Sequence, residues 1–258
     1  MKHAYLIQAH NDFYILERLI KLIDYENNDI YIHIDKKVKK FNFKYYKNLT
    51  KKSNVYFTKR IDVRWGSYKQ IKSELILFEA AYQKHYDYYH LISGIDLIIK
   101  GQKEIHTFFE KNKGKEFITF DCHDKAKKST VDRIRYYHLF TNNMRSQNKV
   151  IFKISNSLHT RLFNLQKKIG FKRKIPFEIR KGANWVSITD NLVGYILKNK
   201  KVVKKYFSKS YCADELFIQT LVYNSDFYKN VYSKKDDDYN GSKRLIDWNR
   251  GMPYTFRE

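Results

Sequence analysis

A chain of 258 residues that is 43% hydrophobic, with only 2 prolines and 9 glycines, can fill a sizeable core and is not a disordered or linker-rich protein. Its formal net charge of +24 seeks an anion, such as a phosphorylated substrate, an acidic membrane surface or a nucleic acid. The lysines, however, fall in short scattered clusters (Lys36-Lys37, Lys39-Lys40, Lys51-Lys52, and within 111–115 and 167–174) and no nucleic-acid-binding motif accompanies them.

The predicted elements begin with a buried strand at Ala4-Tyr5-Leu6-Ile7. His10-Asn11-Asp12 then offers a cap to a helix with Leu16, Leu19, Ile20 and Ile23 on one face. Alternation predicts a second strand over 29–35 and a short third at Val55-Tyr56-Phe57. A long helix from Ser67 carries Ile71, Leu75, Phe78 and Tyr82, and a fourth strand at 88–92 ends at Ser93-Gly94. A fifth is expected at 116–120. The basic stretch from about 122 to 180 reads as loops with one helix. A strand over 183–188 follows, then a helix capped by Thr189 and Asp190, and another starting near Ala213-Asp214-Glu215. Strands alternating with helices imply one α/β domain over 1–258, with a central, mostly parallel sheet. In such sheets ligands bind beyond the carboxyl ends of the strands, which draws attention to His10, Asp35, Asp96 and Asp121.

Two isolated cysteines, Cys122 and Cys212, define neither a disulfide framework nor a zinc site. The apolar run after Met1-Lys2-His3 is too short for a signal peptide, and no run reaches membrane-spanning length. The expectation is a cytoplasmic protein, resting peripherally on the inner membrane face through its positive charge.

Four segments taken in order carry a resemblance: Ala4 to His10 with Asp29 to Lys37, Val63 to Ser67, Asp87 to Lys100, and Ala183 to Thr189 followed by Ala213 to Asn224. Together they resemble the core-2/I-branching β-1,6-N-acetylglucosaminyltransferases, whose relatives include peptide O-xylosyltransferases and bacterial capsule enzymes. The resemblance covers essentially the whole chain. It implies a GT-A-type nucleotide-binding sandwich. It also implies inverting transfer of a sugar, N-acetylglucosamine first, from a UDP-sugar to a glycan or lipid-linked glycan hydroxyl in bacterial surface polysaccharide synthesis. UDP-xylose, UDP-glucose or UDP-galactose are the alternative donors, and a catalytically weak glycan-binding relative is the alternative role. The family resembled needs no divalent metal and no other cofactor. Gly94-Ile95-Asp96, standing where most GT-A enzymes carry a metal-binding Asp-x-Asp, fits that exception.

Inversion needs a base for the acceptor hydroxyl and a counter-charge for the departing diphosphate. By resemblance Glu215 is the base, and the dipole of the helix it opens keeps a carboxylate there ionised. Donor binding is carried over to His10, Asp35, Trp65, Gly66, Ser67, Asp96 and Arg244. Local readings stand beside these: a packed or capping His10, a strand-end turn at Asp35, a cap at Ser67, a turn anchor at Asp96. Acceptor binding falls to Arg133, Arg135 and Trp248, whereas Trp185 reads as core. Asp236-Asp237-Asp238 reads as a solvated turn. The family continues into a basic segment beyond Phe256, whereas this sequence ends at Glu258. The candidates to neutralise the diphosphate are then Arg244, Arg250 and Arg257.

Overall fold

The computed structural model describes residues 1–121, 127–234, 238–251 and 254–256. Its chain order is β1 (His3–Ala9), α1 (Phe13–Leu22), β2 (Asn28–Ile34), α2 (Phe43–Lys47), β3 (Asn54–Phe57), α3 (Lys69–Tyr82), β4 (Tyr88–Ser93) and α4 (Gln102–Lys111). Then come α5 (Lys128–Arg135), α6 (Lys149–Lys168), β5 (Ser187–Thr189), α7 (Asp190–Lys198), α8 (Lys200–Phe207), α9 (Asp214–Tyr223) and α10 (Asp238–Gly241). The sheet runs β3-β2-β1-β4-β5. β1 pairs in parallel with β2 on one side and β4 on the other, with Ile7 opposite both Ile32 and Ile92. Only β5 is antiparallel. The sheet is therefore mostly parallel and flanked by helices, consistent with a GT-A-like fold.

The period-2 alternation of β1 explains why both faces are covered. Ala4 and Leu6 enter the cluster under α3, α7 and α9, with Phe78, Ile188 and Phe217. Tyr5, Ile7 and Ala9 enter the opposite cluster, against Leu16, Leu19 and Ile20 of α1. Each fully buried Leu or Ile among them contributes about 1.5–3 kcal/mol through removal from water.

Several expectations change. Asp12 does not cap α1 with its side chain; it sits in the left-handed region at φ 46°. Residues 116–120 form no ladder, because their backbone groups are shared among three partners. Phe117 exchanges both hydrogen bonds with Ser187, Glu116 pairs with the 230–232 segment, and the Thr119 carbonyl accepts from the Gln219 side chain. The expected strand over 183–188 shrinks to the three residues of β5, since the Ala183 carbonyl accepts from the Gln219 side chain instead of a strand. The basic stretch holds two helices, α5 and α6, rather than one. Thr189 does cap α7, accepting from the Leu192 N–H. Cys122, Asp236, Asp237 and Arg257, together with the side chain of Asp238, lie outside the described residues.

Candidate active site

Parallel register brings the ends of β2, β1 and β4 level. The Asp35 N–H donates to the Ala9 carbonyl at 3.0 Å and the Gly94 N–H to the Gln8 carbonyl at 2.8 Å. β1 is also where the chain order reverses, with β2 on one side and β4 on the other, the usual position of a ligand crevice. His10 is exposed there. Asp35 is 4% exposed and braces its own turn, accepting from the Lys37 N–H at 2.8 Å with Lys37 Nζ 3.4 Å away. Arg60 donates to the carbonyls of Ile34 and Asp35 behind it. Asp96 accepts from the Ser93 N–H at 2.9 Å. Burial raises its pKa, while that hydrogen bond and the Arg244 guanidinium pull it back. Arg244 is itself held across β5, donating to the Val186 carbonyl at 3.3 Å and Ser187 Oγ at 3.1 Å. Asp96 and Arg244, 148 positions apart by number (244 minus 96), thus share one electrostatic neighbourhood.

Glu215 stands in the first turn of α9 with its side chain 37% exposed. Its Oε2 lies 2.7 Å from Arg133 Nη1 of α5 and 3.8 Å from Lys181 Nζ. Lys181 also pairs with Asp121. The Glu215 carbonyl accepts from the Gly182 N–H at 3.0 Å. A side chain at 182 is impossible without movement, because a Cβ would lie 1.8 Å from the Thr119 carbonyl oxygen. Burial, the largest single influence, opposes the charge on Arg133, but the bond to Glu215 and the negative charges around it together raise its pKa. The carboxylate is therefore accessible, oriented by two cations from separate segments, and seated where a helix N-terminus favours negative charge.

Trp65, Gly66 and Ser67 sit against the approach to α9. Gly66 adopts φ 75°, and a Cβ there would come 2.7 Å from Tyr211 Cε2. Its carbonyl accepts from the Cys212 N–H at 3.0 Å. Its N–H donates to Gln70 Oε1, and Gln70 Nε2 donates to Asp214 Oδ2 at 2.7 Å. Trp65 is 42% exposed, edge-on to Tyr211 at 5.8 Å, with the Arg145 guanidinium 3.3 Å over its ring. Ser67 is buried; its Oγ donates to the Arg64 carbonyl and accepts from the Lys69 N–H, as a helix-start residue does.

Not all expected residues converge. Arg133 and Arg135 are two positions apart on one helix, so they point to different faces. Arg135 is exposed, and its carbonyl accepts from the Arg173 N–H. Trp248 is 58% exposed on a turn organised by Asp247, which accepts from the N–H groups of Asn249 and Arg250. Arg250 ion-pairs with Asp247 and covers the Tyr254 ring. Trp185 packs on the core. Cys212 is buried, which pushes its thiol up to about 12.

A buried carboxyl pair behind Glu215 was missed. Asp214 is 6% exposed, and burial, then the charge of Glu215, raise its pKa to about 6. Glu74 of α3 is fully buried; burial and then Asp214 hold it well above the usual range, with Asn184 acting the other way. The signal was present. Glu74 occupies the i+3 position of the stripe Ile71, Leu75, Phe78, where an apolar residue is expected. Among the described residues no group of three or more His, Cys, Asp or Glu side chains converges to hold a metal.

Fold and site together define an α/β enzyme with polar strand ends on one side and a partly exposed, cation-held carboxylate at a helix start. The chain belongs to the Core-2/I-branching enzyme family, a glycosyltransferase family whose model matches residues 3–257. It is also similar to a xylosyltransferase, sqv-6 of Caenorhabditis briggsae, at 24% identity over 263 residues. That match covers 94% of this chain and 30% of the relative, so the chain spans under a third of the relative's length.

Proposed function

We propose that the chain transfers a sugar, N-acetylglucosamine first, from a UDP-sugar to a hydroxyl of a glycan or lipid-linked glycan, with inversion and without a divalent metal. The acceptor oxygen forms the new bond to the anomeric carbon as its proton passes to Glu215. The bond to the diphosphate breaks, and UDP leaves with the electron pair. The observation that carries this reading is the partly exposed Glu215 carboxylate, oriented by Arg133 and Lys181 in the first turn of α9. His10, Asp35, Asp96 and Arg244 are proposed to meet the donor, with Trp65, Gly66 and Ser67 framing its passage to Glu215. Arg133, Arg135 and Trp248 are proposed to meet the acceptor. A biosynthetic role in a bacterial surface polysaccharide, at the cytoplasmic face of an anionic membrane, completes the proposal. UDP-xylose is the second donor reading, favoured by the similarity to a xylosyltransferase.

The test is thermal shift and UDP release across UDP-N-acetylglucosamine, UDP-xylose, UDP-glucose and UDP-galactose, with and without EDTA. At least one donor should raise Tm and release UDP, unaffected by EDTA. No response to any UDP-sugar would overturn the transferase reading. Steeply salt-dependent oligonucleotide binding without a UDP response would replace it with nucleic-acid binding. Activity abolished by EDTA would overturn metal independence.

A further inference from the structure

Helix α6 is 20 residues long and only Ser155 on it is buried. Its inward edge is Ser155, Asn156, His159, Leu162, Phe163 and Gln166, a helical stripe. A second line along one flank, Ile151, Ile154, Leu158 and Leu165, is apolar and faces outward at 43, 55, 38 and 50% exposure. Arg161 continues that line, and Lys153 and Lys168 are exposed on the same helix. Just past the helix, Ile169 and Phe171 are exposed at 67 and 42%, next to exposed Lys172 and Lys174. No acidic residue occurs between Asp132 and Glu178. Such a combination is that of a helix lying in a membrane interface: apolar side chains enter the acyl boundary while lysines and arginines reach the headgroups.

We infer that α6 docks the protein peripherally on an anionic lipid bilayer, with Ile151, Ile154, Leu158 and Leu165 inserted. Charge selects this occupant. A second copy would place like charges and two Arg161 side chains against each other, which opposes pairing. A neutral surface would leave the basic residues without counter-charges. A second basic feature adjoins the same helix. Tyr137, whose N–H and carbonyl are both held by Gln166 of α6, lines a depression of about 420 Å³ with Lys201, Lys204, Lys205 and Lys209 of the α8 region. Its ring stacks on Phe171 at 5.8 Å. Among the described residues no helix is long and apolar enough to cross a membrane, and α6 needs only to lie on one.

α6 is also fastened to α5 and to the segment that follows it. Lys167 Nζ lies 3.2 Å from Asp132 Oδ2, and His159 Nε2 is 2.9 Å from His138 Nδ1. Arg133 on α5 holds Glu215. A bilayer against α6 would therefore lie near the side from which, on the proposed function, a lipid-linked acceptor arrives. Bilayer docking itself needs no sugar nucleotide and is measured without one, so its failure is distinct from failure of the transferase reading.

The test is flotation of the full chain with vesicles of phosphatidylcholine alone or mixed with phosphatidylglycerol, at low and high salt. The chain should float with the anionic vesicles only, and less at high salt. Ile154→Glu combined with Leu158→Glu should weaken partitioning about tenfold or more at unchanged Tm, since both side chains are exposed. Lys153→Gln, Arg161→Gln and Lys168→Gln together should also weaken it at least about tenfold. Absence of flotation with anionic vesicles overturns the inference. So does flotation undiminished in both variants, which would assign it to another basic face. A concentration-dependent dimer in vesicle-free solution, dissociated by the double variant, would identify the stripe as a self-association surface instead.

Discussion

Replacing Glu215 with Gln separates catalysis from folding. The change keeps the side chain's size and removes its charge. The ion pair it loses is partly solvated, with Arg133 25% and Glu215 37% exposed, so it contributes about 0.2–1 kcal/mol. The favourable charge in the first turn of α9 adds about 0.3–1 kcal/mol. The stability loss should stay below about 2 kcal/mol, a Tm decrease of several degrees at most for a chain of this size. Loss of a general base, in contrast, lowers kcat by about 10²–10⁴, or roughly 3–5 kcal/mol of barrier. UDP release at saturating donor and acceptor, with Tm measured on the same preparation, reads both effects. Because the proposed donor contacts lie on other segments, the donor-induced Tm increase should persist. Activity within about twofold of wild type would remove Glu215 from its role. Activity lost together with the folded state would show that the ion pair is structural.

The buried carboxyls give the next prediction. The folded pKa of Asp214 is raised from 3.8 to about 6, so the folded state binds its proton more tightly than the unfolded state does. Its contribution to stability should decline as pH rises from about 4 to 6, and Asp214→Asn should flatten that decline and raise stability at pH 7 by up to about 3 kcal/mol, read as a higher Tm. A lower Tm at pH 7 than wild type would contradict this. Gly66→Ala meets a left-handed backbone and the Tyr211 ring at 2.7 Å, and should cost about 1–3 kcal/mol by denaturant unfolding. Gly182→Ala must push back the Thr119 backbone and the segment bonded to Glu215, so it should lower both stability, by at least about 2 kcal/mol, and UDP release. A neutral effect at either glycine would mean that its neighbour yields freely.

Local periodicity determined much of this protein by itself. The stripe Leu16, Leu19, Ile20, Ile23 fixed α1, and all four are fully buried. The alternation in β1 and β2 placed their side chains on two faces, and Thr189 marked the start of α7. The position of Glu215 at a helix start was also legible, because helix-start signals lie within a few adjacent residues. What was not legible depends on residues distant in sequence. Arg133 reaches Glu215 across 82 positions, and Gln70 reaches Asp214 across 144. β5 turned antiparallel, and 116–120 gave up its ladder, because their backbone partners come from segments that only packing brings near. α6 was obscured by the exposure of its apolar residues, which breaks the assumption that an apolar side chain marks the inside. Sequence therefore set the principal strands and helices around β1, β2 and β4 and which carboxylate opens α9. Tertiary packing decided which cations hold that carboxylate, which acids lie buried behind it, and which apolar stripe remains on the outside.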